Sequence, residues 1–170
     1  MKGYKIMLDD EKVLWNECID IFKKVDNSNL KELLDNLVVF IAKHKTKFVD
    51  VADLRFLEFI LSINSNKYVV GTTGDNFEGL SRIYNSRQQK NIRDIWRIVS
   101  NTIWDLTTFT TEEICPQCKN DNLRILTDLN NEKVYKACET CFWIEEDGKA
   151  VPRPKDLFPA DKDIVLKYCK

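Results

Sequence analysis

Six cysteines and a single histidine stand in this chain of 170 residues, and four of the cysteines are spaced for a metal ion. Cys115 and Cys118 bracket "PQ"; after nineteen intervening residues Cys138 and Cys141 bracket "ET". A C-x2-C turn aims two thiolates at one point, with backbone amides placed to donate to sulfur. The spacer is long enough for two strands and a tight turn, which bring the second pair opposite the first, so that four sulfurs at about 2.3 Å can surround a tetrahedral Zn2+ ion. A thioredoxin-like redox motif would need a βαβ context and would leave the second pair idle. Disulfides are rare in cytosolic chains. Four cysteines close the coordination shell, whereas catalytic zinc keeps a position open, so the ion expected here is structural and folds a module with little core of its own.

With strand-like sequence between and after the pairs, residues 112–149 resemble a zinc ribbon. The resemblance implies a small β module built on the metal. Many ribbons have glycine after the second cysteine of each turn; Lys119 and Phe142 stand there instead. Cys18 lies on an apolar helix face and reads as core. Cys169, like Cys18, lacks metal spacing to the other cysteines.

Other catalytic signals are weak. His44, in "AKHKTK", reads as a solvated helix end favoured by positive charge. One histidine excludes H-E-x-x-H hydrolases and histidine-metal nucleases. "GTTGD" at 71–75 lacks the ending of a phosphate loop, and no G-x-S-x-G elbow occurs. Asp50 and Asp53, three apart, read as one solvated helix face. Asp147-Gly148-Lys149, with Asp128 upstream, has the form of a nuclease triplet, but Asp-Gly is also a common hairpin turn.

These residues must be positioned by two kinds of structure. Apolar spacing of three and four predicts a helix from a cap at Asp9 or Asp10 through Leu14, Cys18, Phe22 and Val25. A second begins after Asn29, which has capping-box spacing to Glu32. A third covers "KFVDVADLRFLEFILSI" and ends at "NSNK". Asp75 and Glu78 suggest a cap before a helix over 76–87, and a further helix runs from about Gln89 to Thr107 with a seam of Ile92, Trp96, Val99, Ile103 and Leu106. "NLRILTDL" and "KVYKAC" flank the turn "NNE" as strands, and "FWIEEDGK" reads as a third. "VPRPKDLFPA" should be extended; "DKDIVLKYCK" fits a helix or a strand. The expected architecture is mainly α: a helical bundle over 1–110, a zinc ribbon over 111–150 and a proline-containing tail over 151–170.

A net charge of −1 gives no global attraction to nucleic acid or membrane. Residues 112–149 carry nine acids against five bases, and four thiolates on a divalent ion add about two more negative charges, a poor surface for phosphates. A basic stripe lies elsewhere: Lys90, Arg93 and Arg97 at helical spacing, preceded by Arg82 and Arg87. Phe142 and Trp143 are adjacent, so a strand would face them oppositely and the small ribbon could not bury both; such aromatics anchor interfaces. With no apolar run of signal-peptide or membrane length, the expected protein is cytoplasmic and non-enzymatic. It would be a zinc-containing adaptor, regulator or immunity-like neutralising partner of another protein. The alternative is a nucleic-acid-associated factor using the stripe at 82–97, and a third reading is a metal-dependent nuclease.

Overall fold

A computed structural model describes the backbone of all residues except Met1, Asn27, 72–75, 86–89, Asn131, Cys169 and Lys170, and of side chains it also leaves out 2–8, 76–78, 80 and 85. Arg87, Cys169, the expected cap at Asp75 and part of "GTTGD" therefore lie outside the described residues. The chain divides into two compact units, one of Met1–Ser65 with Thr72–Leu106 and one of Asn66–Gly71 with Thr107–Lys170.

The first unit is helical: α1 Lys2–Lys23, α2 Leu30–Lys43, α3 Lys45–Phe48, α4 Leu54–Ser62, α5 Asn76–Asn85 and α6 Ile92–Thr107, whose last residue passes into the second unit. Helix α1 runs through Asp9 and Asp10, which are therefore interior positions and not a cap. Its Leu14, Trp15, Cys18 and Phe22 are buried, as are Leu33, Leu34, Leu37, Phe40 and Ile41 of α2, so both helices present the apolar stripe that their spacing requires. Asn29 is the N-cap of α2, but its side chain makes no capping hydrogen bond.

The apolar run from Lys47 to Ile63 is not one helix. It breaks after Phe48, and Asp53 restarts it by accepting from the amides of Arg55 (3.0 Å) and Phe56 (3.1 Å). Asp50 and Asp53 therefore share no helix face. The preference of Asp for local backbone donors wins over a continuous apolar pattern here. Asp53→Ala is expected to destabilise the first unit by about 1 kcal/mol, read as a lower denaturation midpoint at unchanged slope.

Helix α6 buries more than its seam. Trp96, Val99, Ile103 and Leu106 are buried and Ile92 half-buried, and Ile95, Ile98 and Thr102 are buried too. The buried Thr102 hydroxyl donates to Ile98 O (2.8 Å) and lies 3.2 Å from the Tyr84 hydroxyl, so it carries no desolvation penalty. Asn91 caps this helix, accepting from Asp94 N at 2.9 Å.

The second unit is an antiparallel sheet: β1 Phe109–Ile114, β2 Asn122–Thr127, β3 Val134–Ala137, β4 Ile144–Glu146, β5 Lys149–Ala150 and β6 Phe158–Pro159, followed by helix α7 Lys162–Tyr168. The strand order is β1-β2-β3-β4-β5, and β6 also pairs with β2. Since β3 occupies one edge of β2, β1 and β6 share the other, β1 at Asn122–Ile125 and β6 at Leu126 and Thr127. The segment after Ala150 is extended, as its prolines require, and is tied into the sheet by β6. The terminal ambiguity resolves as a helix capped by Asp161, which accepts from Ile164 N at 3.0 Å. Ile125, Ala160 and Val165 form a buried cluster with half-buried Val69, Phe109, Val134 and Ile164, so this unit has a core apart from its cysteines.

Between Thr110 and Ile114 the edge strand β1 bulges. Thr111 fills the gap: its hydroxyl donates to Leu123 O (3.0 Å) and accepts from Glu113 N (3.1 Å), while Asn122 Nδ2 donates to Thr111 O (2.9 Å). A bulge with exposed Glu112 and Glu113 makes a poor template for pairing with another chain.

Candidate metal centre

Cys115 and Cys118 lie on the turn between β1 and β2, and Cys138 and Cys141 on the turn between β3 and β4. The two turns are built alike. Cys115 N donates to Asp121 O at 2.8 Å, and Cys138 N donates to Trp143 O at 2.8 Å. The residue after each second cysteine is left-handed, Lys119 at φ 59° and Phe142 at φ 61°. This is the conformation that explains glycine at these positions in many ribbons. Lys119→Gly is expected to stabilise the second unit by about 0.5–1 kcal/mol, measured as a higher denaturation midpoint.

The antiparallel pairing of β2 with β3 brings the turns together. All four sulfurs lie within 4.8 Å of one another. Cys115 Sγ is 3.6 Å from Cys141 Sγ, and Cys118 Sγ is 3.6 Å from Cys138 Sγ. A tetrahedron with metal–sulfur bonds of about 2.3 Å has edges of about 3.8 Å, and a disulfide is about 2.05 Å. The spacing therefore fits a four-thiolate ion and not two disulfides. Cys115 and Cys138 are buried and the other two half-buried, around buried Leu123 and half-buried Trp143.

Backbone amides supply the electrostatics. Burial works against ionisation of Cys115, but the N–H groups of Cys118 and Gln117 donate to its sulfur and bring it down to about 7. Burial pushes Cys138 up to about 12, although the amides of Cys141 and Thr140 point at its sulfur. Burial also raises Cys141, which accepts from Trp143 N. Four thiols this close cannot all ionise unaided; a divalent cation removes that restriction by deprotonating the thiols it binds. Among the described residues no other group of three or more His, Cys, Asp or Glu converges in this way.

The chain matches no protein-family model, no curated protein and no solved structure.

The remaining candidates are scattered. Phe142 and Trp143 precede β4 and do not alternate across a strand. The left-handed turn leaves Phe142 66% exposed, with the Arg153 guanidinium 5.4 Å from its ring centroid, while Trp143 packs on the cysteine cluster. Lys90 is half-buried ahead of α6; Arg93 and Arg97 are exposed on it, with Arg97 3.5 Å from Asp94. His44 is not a solvated helix end: its Nε2 lies 2.9 Å from Glu17 Oε2 and its ring rests on Phe40. Asp147 (φ 50°) and Gly148 (φ 76°) form the turn between β4 and β5, with the paired positive φ values of a type I′ hairpin. Asp128 closes a different turn, accepting from Glu132 N and Lys133 N. Cys18 is buried, which pushes its thiol far up and leaves it unreactive.

Asp121, Arg124 and Thr140 surround the cage, and sequence reasoning does not find them. Asp121 Oδ2 accepts from Arg124 Nη1 (3.0 Å) and Thr140 Oγ1 (3.1 Å). Burial raises the Asp121 carboxyl, but these donors and Asn122 N hold it below the usual carboxylate range. No spacing rule marks such residues, because their contacts depend on how the two turns meet.

Proposed function

We propose that the second unit is a zinc ribbon holding a structural Zn2+ on Cys115, Cys118, Cys138 and Cys141, and that the protein works as a non-enzymatic binding partner of another protein. It would serve as an adaptor, a regulator or an immunity-like neutralising factor in the cytoplasm, where thiolate ligands stay reduced. The observation that carries the metal reading is the convergence of all four sulfurs within 4.8 Å, two pairs of them 3.6 Å apart, near a tetrahedral edge. Bound there, the ion supplies four bonds to thiolate and no open coordination position. Elemental analysis of protein purified under reducing conditions should give one zinc per chain; none would end this reading.

The binding role is supported by the exposure of Phe142, a bulky aromatic that the turn leaves largely uncovered, since aromatics of this kind anchor interfaces. Co-purification from the native source identifies the partner. Phe142→Ala is then expected to weaken that complex by at least about 2 kcal/mol, roughly thirtyfold, in a titration with the purified partner. An unchanged affinity would remove Phe142 from the interface.

Nucleic acid is the second reading, favoured by the exposure of Arg93 and Arg97. Against it, Asp94 pairs with Arg97, and the ribbon's Arg124, Lys133 and Lys136 already contact Asp121, Glu146 and Glu113. Binding to mixed-sequence DNA or RNA that falls steeply with salt and is lost on reversing Arg93 and Arg97 would favour this reading over the first. No helix among the described residues is long and apolar enough to cross a membrane.

A further inference from the structure

We propose that Asp121 is a positioning residue for the metal cage, clasping the two cysteine turns together with Arg124 as its counter-ion. The inference rests on the zinc-ribbon reading above. Asp121 touches both turns through different atoms. Its carbonyl oxygen accepts from Cys115 N at 2.8 Å, which closes the first turn. Its Oδ2 accepts from Thr140 Oγ1 at 3.1 Å, inside the second turn, and lies 3.9 Å from Cys138 Sγ. Its Oδ1 accepts from Asn122 N at 2.9 Å, which fixes the carboxylate plane.

Arg124, on β2, completes the grip. Its Nη1 donates to Asp121 Oδ2 at 3.0 Å, and its Nη2 lies 3.2 Å from Glu139 Oε2. Glu139 and Thr140 are the two residues between Cys138 and Cys141. Both are thus held by the Asp121–Arg124 pair, which is part-buried at 20% and 15% side-chain exposure. Any residue at 121 could supply the carbonyl that closes the first turn. Only a carboxylate can accept from a hydroxyl and a guanidinium while taking a backbone amide on its other oxygen. A carboxylate beside four thiolates opposes their charge by itself; the guanidinium offsets it and adds a cation near the cage. Partners of this kind orient metal ligands, and their loss typically lowers metal affinity about 10–100-fold.

The test uses the whole chain under reducing conditions, with zinc affinity measured by competition against a chromophoric chelator and geometry by the absorption bands of bound Co2+. Asp121→Asn is expected to lower zinc affinity about 10–100-fold, with one ion still bound per chain and the Co2+ bands unmoved, because the four sulfurs remain. Thr140→Val should weaken binding in the same direction, and Thr140→Ser, which keeps the hydroxyl, should restore it. The double variant Asp121→Asn/Thr140→Val should lose little beyond Asp121→Asn alone, as for two residues in one network. Asp121→Asn within about twofold of the parent protein, against the 10–100-fold expected, or Thr140→Ser as weak as Thr140→Val, would overturn the clasp and leave the ribbon reading intact. A parent protein that binds no zinc would instead remove the ribbon reading itself.

Discussion

On the proposed zinc reading, replacing Cys138 by serine is expected to abolish metal binding and to unfold the cysteine end of the second unit. Cys138 is fully buried, and serine neither ionises at neutral pH nor matches thiolate as a ligand for zinc. The apolar cluster there contains one buried side chain that is not a cysteine, Leu123, with half-buried Trp143 against it. A buried leucine contributes about 1.5–3 kcal/mol, whereas structural zinc contributes about 10–16 kcal/mol in finger peptides. On the zinc reading proposed above, the metal would outweigh apolar burial at this end of the sheet. Amide hydrogen exchange reads the outcome: Leu123, Ala137 and Ile144 should exchange rapidly in Cys138→Ser and be protected in the zinc-loaded parent. The same loss should follow from a strong chelator. Protection in the serine variant equal to the parent's would show that hydrogen bonding and packing hold the turns without metal.

In the first unit the largest single effect should come from Phe48→Ala. Phe48 is fully buried at the end of the four-residue α3, with its ring centroid 6.0 Å from Phe40 and 5.6 Å from Trp96. Tilted aromatic pairs at these separations are attractive beyond their buried area. Truncation removes both contacts and opens a cavity that the surrounding helices can fill only in part. The expected loss is about 3–5 kcal/mol, read from a denaturant titration of the first unit. A loss below about 1 kcal/mol, far short of that range, would mean that the site collapses around the alanine.

How much of this is legible in the residues follows from the range of the interaction concerned. The cysteine spacing is local and chemically restrictive, so the four ligand candidates can be named before any fold. Helices with a clean apolar stripe, such as α2 and α6, are equally plain. The break after Phe48 is hidden because the apolar residues continue across it, and Asp53 announces a cap only once its neighbours' amides are seen. Strands β1, β5 and β6 escape for a related reason. "FTTEEI" alternates poorly because it bulges at Thr111, and two-residue strands such as Lys149–Ala150 and Phe158–Pro159 carry no pattern at all; they exist because a neighbouring strand offers an edge. Phe142 stands out as an aromatic in need of cover, but its exposure depends on a left-handed backbone that its residue type disfavours. Asp121 and Arg124 give no signal, since their value arises where two distant turns converge.

The sharing of one β2 edge by β1 and β6 bears on how this chain is made. During synthesis β1 to β5 leave the ribosome first and can pair at once through short connections. The strip of β2 at Leu126 and Thr127 has to wait for Phe158 and Pro159. At about 5–20 residues per second the delay is of the order of seconds. In that interval the nascent second unit would carry its cysteines in place yet expose an unzipped seam of backbone, a stretch where a ribosome-bound chaperone, or a neighbouring nascent chain, would find purchase.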